Sequence, residues 1–279
     1  MTIRAFVMGH PIAHSRSPML HGYWLKRYGI DGSYQRLDIA PAELGAFFAG
    51  MRAAGWAGGN VTVPHKTAAI AHVGRLDAAA TAIGAVNTLW YEGGALVGGN
   101  TDAAGFIGNL DERAAGWDAR GGRAALLGAG GAARAAIYGL RQRGFSVGVF
   151  NRTRANAEAL AALFGAGVVA HGWEELAEWL PATDLLVNAT SLGMTGQPPN
   201  ALDLTALPAH AVVHDVVYAP LETGLLRVAA ARGLHTVDGL GMLLHQAVAG
   251  FAHWFGIVPE VTDELRAMLE ADIRARTPA

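Results

Sequence analysis

Short apolar runs ending in Gly, Pro, Asn or Asp alternate along the whole chain with longer Ala/Leu/Arg segments of helical period. A run of a few apolar residues closed by breakers suits a strand buried on both faces, and the periodic segment after it suits the helix that carries the chain back. The alternation therefore predicts repeated strand–helix units and an α/β fold with largely parallel sheets. Strands are expected at Arg4 to Met8, Tyr34 to Ile39, Gly59 to Val63, Val86 to Tyr91, Ala95 to Val97, Arg123 to Leu127, Val147 to Phe150, Leu185 to Asn188 and Val212 to Val216. The strand at Arg123 opens a second series of units after the loop 115–122. The density of breakers in Gly193 to Asn200 marks a surface loop. Two final helical segments, Met242 to Phe255 and Val261 to Arg276, have no strand to follow and are expected to pack back on the first series.

Composition sharpens this into two domains. A chain of 279 residues with 52% hydrophobic side chains exceeds the size at which one core usually stops growing. The expected division is 1–103, completed by helices in 240–279, and 104–239. A net charge of −2 provides no positive field to gather nucleic acid or anionic lipid, so a small-molecule partner is expected. The absence of cysteine excludes disulfides, thiolate metal sites and a thiol nucleophile. The eleven histidines show no ligand spacing, so no metal is expected. The N-terminal segment runs straight into a strand pattern, and no apolar run of ~18 residues occurs. The expected location is the cytoplasm, away from membranes.

Candidate chemistry appears first at Gly128-Ala129-Gly130-Gly131-Ala132-Ala133, a G-x-G-x-x-A sequence between an apolar strand and a helix running to about Arg143. Such a turn lets the backbone approach a pyrophosphate and aims free helix N–H groups at it. The same letters also suit an ordinary glycine-rich turn. Some 20 residues on, where an NAD-binding site usually has an acid for the ribose, the chain reads Asn151-Arg152-Thr153-Arg154. Two guanidiniums and a hydroxyl suit a 2′-phosphate, which points to NADP in a Rossmann-type dinucleotide-binding domain. Alternatively these arginines simply open the next helix in solvent, although cations are disfavoured there.

Asn60-Val61-Thr62-Val63-Pro64-His65-Lys66 reads as a strand with Asn60 and Thr62 on one face and Lys66 just past its C-terminal end, where open α/β sheets bind ligands. Only Lys26 and Lys66 are lysine among 21 cationic residues, which suggests a position needing a cation that can release its proton. A surface lysine opening a helix fits the same letters. Asp102, in Asn100-Thr101-Asp102, can be a helix cap or a catalyst, and Asn87 can be a satisfied strand residue or a ligand. Ser15 and Ser17 flank one point of an extended segment before a helix whose first turn accepts Pro18. One of them can equally be a simple cap.

Taken in order, these segments, with Gly84-Ala85-Val86-Asn87-Thr88, Asn188-Ala189-Thr190, Asp215-Val216-Val217-Tyr218 and Asp238-Gly239-Leu240-Gly241-Met242-Leu243, resemble the shikimate dehydrogenase family over essentially the full length. The resemblance implies an open, mostly parallel α/β substrate domain and a Rossmann domain on either side of a cleft, and NADP-dependent reduction of 3-dehydroshikimate to shikimate within aromatic amino acid biosynthesis. It implies that Ser15, Ser17 and Tyr218 hold the substrate carboxylate, that Asn60, Thr62, Asn87 and Gln246 bind ring hydroxyls, and that Lys66 and Asp102 are the catalytic pair. Val216 and Gly239 would line the nicotinamide side, in a monomer or homodimer. Gly224 departs from the family, which usually has proline there. A broader quinate/shikimate enzyme using NAD, and a non-catalytic ligand sensor of the same fold, are the alternatives; Arg152 with Arg154 weigh against the first, the intact Lys66 and Asp102 against the second.

Overall fold

The structure is a computed structural model that describes residues 2–119 and 121–276; Met1, Arg120 of the expected 115–122 loop and residues 277–279 lie outside it. Two compact units divide the chain. Residues up to Asp102 with Leu243–Leu269 form the first, and Ala103–Met242 with the residues from Glu270 onward form the second. The expected division kept all of 240–279 with the first unit. The difference arises because the two final helices each run unbroken across a division, which no breaker marks in the sequence.

In the first unit the elements are β1 (Ile3–Gly9), α1 (Ser17–Arg27), β2 (Gly32–Asp38), α2 (Leu44–Gly50), β3 (Trp56–Val61), β4 (Arg75–Leu76), α3 (Ala78–Ile83), β5 (Thr88–Glu92) and β6 (Ala95–Gly99). They build a six-stranded sheet in the order β2-β1-β3-β5-β6-β4. β1 pairs in parallel with β2 and β3, but β5 runs antiparallel to both β3 and β6. The sheet is thus largely parallel, as expected, with β4 parallel to β6 and β5 as the antiparallel exception. Gly93 and Gly94, with φ of 57° and 84°, explain why: two left-handed residues close a hairpin, and a two-residue link cannot cross over to a parallel strand. Phe6, Met8, Trp56, Val61 and Leu89 pack with Leu44 and Met51 into one core.

Helix α4 (Asp102–Arg113) starts at the last residue of the first segment and continues in the second unit, which also contains β7 (Gly122–Leu127), α5 (Gly131–Gln142), β8 (Phe145–Phe150), α6 (Arg154–Phe164), β9 (Val168–His171), α7 (Leu176–Trp179), β10 (Leu185–Asn188), β11 (Val212–Asp215), α8 (Gly224–Ala231) and β12 (His235–Val237). Helices α9 (Leu240–Phe255) and α10 (Asp263–Arg276) end the described chain. The sheet is wholly parallel, in the order β12-β11-β10-β7-β8-β9. Read from β9, that is the 3-2-1-4-5-6 order of a dinucleotide-binding domain, whose direction of winding reverses between β7 and β10. Apolar cores cover both faces, Leu126, Val147, Val149 and Val187 on one, Leu127, Phe150, Leu186 and Val213 on the other. This two-sided burial is why these strands read as unbroken apolar runs. The short outer strands β9 and β12 carry too few residues to show a pattern. Among the described residues no helix is long and apolar enough to cross a membrane.

Gly224 is the first residue of α8, where the Thr223 hydroxyl accepts from the Leu226 amide. No atom lies within 4 Å of the position a Cβ would take, and Thr223 already has the extended backbone that precedes proline comfortably. Proline fits such a first position and restricts the unfolded chain. Gly224→Pro is therefore expected to raise stability by about 0.5–1 kcal/mol; an unchanged or lower urea midpoint would count against this reading of the helix start.

Candidate active site

Within the first unit, one hydrogen-bond network gathers most of the polar residues singled out above. β3 ends at Val61, and Thr62 begins a turn instead of extending the strand: its N–H donates to the Met8 carbonyl at 2.9 Å, and its carbonyl accepts from His65 at 2.9 Å. His65 is buried, with Nε2 2.7 Å from the Ile39 carbonyl, so it ties the turn to the end of β2. The Lys66 carbonyl accepts from Val86 at 2.8 Å. Main-chain bonds on both sides of Lys66 thus aim its side chain, and its ammonium donates to Asp102 Oδ2. The two side chains are 20% and 9% exposed, so the ammonium is held yet reachable. It has three donors, of which Asp102 uses one.

Asp102 opens α4, and its own N–H donates to Asn100 Oδ1 at 3.0 Å. Its second carboxylate oxygen accepts from Asn87 Nδ2 at 2.8 Å. The orientation of the Asn87 amide is fixed, because its Oδ1 accepts from the Thr101 N–H at 2.8 Å, a group that can only donate. Gln246 Oε1, from α9, lies 3.5 Å from Asn87 Nδ2. Asn60 donates through Nδ2 to the Asn87 carbonyl and to Thr88 Oγ1, both at 3.1 Å, and accepts from Tyr34. Ser15 Oγ accepts from the Ser17 N–H at 3.3 Å, which leaves the Ser15 hydroxyl proton free to point outward. Ser17 opens α1, an eleven-residue helix with no acidic residue in its first turn, so its positive end is uncompensated there. Thr62 does not join this network through any hydroxyl bond among the described residues.

In the second unit, β7 ends at Leu127 and Gly128 follows it at φ 103°. A Cβ there would stand 2.9 Å from the Thr190 methyl and 3.0 Å from the Ala189 carbonyl, the chain leaving β10. Glycine is therefore required where the turn passes the switch point of the sheet. Ala129 is half-buried on the core, while Gly130 and Gly131 are exposed. Gly130 caps α5 without a side-chain bond, and nothing lies within 4 Å of its would-be Cβ. The N–H groups of Gly131 and Ala132, in the first turn, have no intrahelical partner and suit an anion, while Ala133 is fully buried. Val216 follows β11, and a Cβ on Gly239 would fall 2.2 Å from its carbonyl oxygen, so Gly239 allows the two segments to touch. Tyr218 is half-buried two residues beyond Val216, in this same unit.

The corner after β8 separates the two arginines. Arg154 donates to Glu175 at 2.6 Å and to Glu158 at 3.2 Å, so its guanidinium is already engaged. Glu175 also accepts from His171 and Gly172, bonds that with Arg154 hold its carboxyl down to about 2. Arg152 is exposed and makes no ion pair among the described residues. Asn151 spends its amide on the Thr153 carbonyl at 2.9 Å, and the Thr153 side chain makes no capping bond. Beneath the site lies a residue whose role was not visible in the sequence. Buried Asp215 accepts from Asn188, Val217 and Thr223 at 2.9, 3.0 and 2.7 Å and holds the turn that presents Val216; burial raises its pKa to about 6. Among the described residues no group of three metal-ligating side chains forms.

A parallel sheet with its glycine turn at the switch point, in one chain with a second α/β unit bearing a lysine–carboxylate pair, defines a two-domain oxidoreductase of the dinucleotide-binding class. Comparison with known proteins narrows it. The profile of the shikimate dehydrogenase substrate binding domain matches residues 7–89, that of shikimate / quinate 5-dehydrogenase 110–195, and that of the shikimate 5′-dehydrogenase C-terminal domain 239–269. A shikimate dehydrogenase (NADP(+)) of Mesorhizobium japonicum is 59% identical over 98% of this chain and 97% of its own. The shikimate 5-dehydrogenase of Thermus thermophilus, solved with NADP(H) and shikimate, superposes with a TM-score of 0.86 at 38% identity, covering 98% of this chain and 99% of its own. A Corynebacterium glutamicum quinate dehydrogenase solved with NAD gives 0.88 at 31% identity, over 96% and 99%. The chain belongs to the shikimate dehydrogenase family.

Proposed function

We propose that this chain is an NADP-dependent shikimate dehydrogenase that interconverts 3-dehydroshikimate and shikimate, working in the cytoplasm as a monomer or homodimer on small molecules alone. The observation that carries the reading is the network that joins Lys66, Asp102, Asn87, Asn60 and Gln246 in one unit of a chain whose other unit binds dinucleotides by its strand order. Gly128 to Ala132 would cradle the pyrophosphate, and Val216 with Gly239 would flank the nicotinamide. Bound NADPH supplies a hydride to the ketone carbon, and everything else falls to the protein. As negative charge grows on the ketone oxygen, an ammonium N–H of Lys66 stabilises it and gives up its proton there, so one hydride and one proton convert ketone to alcohol. Asp102 holds the ammonium in place. Ser15 and Ser17, at the positive end of α1, suit a carboxylate, and Tyr218 is retained as a further ligand for it. The amides of Asn60, Asn87 and Gln246 and the hydroxyl of Thr62 suit ring hydroxyls.

The decisive measurement is a matrix of catalytic efficiencies for shikimate and quinate with NADP⁺ and NAD⁺. Shikimate with NADP⁺ should dominate; failure to reduce either cofactor with either acid would refute the enzyme. The 2′-phosphate is assigned chiefly to Arg152, because Arg154 must first leave two carboxylates. Arg152→Ala should raise KM for NADP⁺ by roughly 10- to 100-fold, the equivalent of one charge-assisted hydrogen bond, and leave KM for NAD⁺ nearly unchanged. Equal losses with both cofactors would move the phosphate contact elsewhere.

A further inference from the structure

Among the residues assigned to substrate, Lys66 is the only cation, and Asp102 already matches its charge. A carboxylate bound at Ser15 and Ser17 would therefore meet hydroxyls alone, whereas an anion leaving water needs opposite charge as well as hydrogen bonds. The edge strand β2 brings such a charge. Arg36 donates through Nε at 2.8 Å and through Nη2 at 2.6 Å to one acceptor, the carbonyl oxygen of Ser15. The rest of its donors have no protein partner among the described residues, and the side chain is exposed. A carbonyl is neutral. Unlike Arg143, which Asp111 and Asp118 hold, Arg36 thus keeps its whole positive charge available to a ligand.

The sheet register sets this guanidinium level with the rest of the site. Arg36 and Asn60 both pair with Val7 of β1, one from each side, so they stand in the same row of the sheet. Tyr34, two residues before Arg36 and hence on the same face, donates to Asn60 Oδ1 at 2.5 Å and stacks on His21 of α1 with centroids 4.0 Å apart. Arg36 therefore shares the face that Asn60 uses and that α1 covers. Asp38, next along that face, turns to His10 at 2.8 Å instead of opposing the guanidinium. Ser15 is held at three points. Its N–H donates to the Ile12 carbonyl at 3.0 Å, its carbonyl takes the Arg36 fork, and its Oγ accepts from the Ser17 N–H at 3.3 Å. The positive charge stands within one residue's breadth of the hydroxyl proton that remains to be donated.

We propose that Arg36 is a specificity-determining residue that acts through Ser15: its fork sets the serine segment, and its charge makes the site select a ring bearing a carboxylate over the same ring with an uncharged group there. This rests on the assignment of Ser15 and Ser17 to the carboxylate above. Serine hydroxyls alone would serve an ester or an amide as readily as an acid. The guanidinium adds the distinction between them, and because it is exposed its influence is open to screening by salt.

The test compares Arg36→Gln and Arg36→Lys with wild type, read as KM and kcat for shikimate and KM for NADP⁺, in dilute buffer and in about 1 M KCl, where the Debye length is ~3 Å. Both variants change an exposed side chain, so the melting temperature should hold. In dilute buffer Arg36→Gln should raise KM for shikimate about fivefold, the upper end for an exposed ion pair, with kcat within about twofold and KM for NADP⁺ unchanged. Arg36→Lys keeps the charge without the fork and should stay within about twofold of wild type. In the concentrated salt the deficit of Arg36→Gln should shrink to less than about twofold, because screening removes what the charge supplied. No rise in KM for Arg36→Gln, a loss of the same size in both salts, or equal losses for Gln and Lys would overturn the proposal; a salt-independent loss would reduce Arg36 to a backbone clamp. Ser15→Ala and Ser17→Ala variants that both keep the wild-type KM for shikimate would instead overturn the carboxylate assignment, and the role of Arg36 with it.

Discussion

Lys66→Ala is expected to lower kcat by ~100-fold or more and to leave the dissociation constant for NADP⁺ within about twofold. Lys66 is the cation of the network, its charge lies beside Asp102, and its backbone is pinned through Val86 and the Thr62–His65 turn. Removing the ammonium takes away both the stabilising charge and the proton delivered to the ketone oxygen. It leaves the Gly128–Gly130 turn untouched, because that turn belongs to the other unit. Lys66→Arg should not restore the rate, since a guanidinium keeps its proton. A turnover number near wild type in Lys66→Ala, measured with saturating shikimate, would show that another group protonates the oxygen.

The second large effect is on stability against acid. His21 and His214 are fully buried, and burial drives both down to about 3 from an ordinary 6.5. Neither ring nitrogen of His21 has a partner, nor has Nδ1 of His214. The folded protein therefore holds both rings neutral while the unfolded chain protonates them below about pH 6.5. The sign follows: their contribution is complete above 6.5 and is lost as pH falls from there toward 3. Asp215 acts in the opposite sense, because its folded value near 6 lies above that of an unfolded aspartate, so folding gains as pH drops through 6. Taken together, stability should fall by about 2 kcal/mol between pH 7.5 and 5.5, with the two histidines outweighing the one carboxyl. Urea midpoints across that interval test it, and a flat profile would mean that one ring is reached by solvent.

What could be read from the sequence divides along physical lines. The strands of the second unit were legible because both faces are buried, and β10 was placed to the residue. The glycine turn was legible because its backbone demands leave letters behind. The antiparallel β5 was not, since a hairpin strand buried against a core shows the same apolar run as a parallel one; only Gly93-Gly94 signals it. Lys66 and Asp102 were visible singly, but their pairing is a tertiary fact across 36 residues. Asp215 and Tyr34 gave no signal of role, because a buried polar group announces itself only by its partners. Arg154 shows the converse limit: cationic letters at the right spacing did not reveal that two carboxylates already hold it.

The order of the chain also governs how the molecule can be made. Trp254 of α9 donates to the Leu89 carbonyl at 2.7 Å across 165 residues, and Phe251 and Trp254 lie against His21, Trp24 and Tyr34. The whole nucleotide-binding sheet is therefore synthesised before the helix that closes the first sheet's aromatic face leaves the ribosome. The sheet that bears Lys66, though translated first, therefore waits for α9 before its aromatic face is covered, and during that interval a chaperone or a neighbouring nascent chain would meet the uncovered Trp24 and Tyr34 rings.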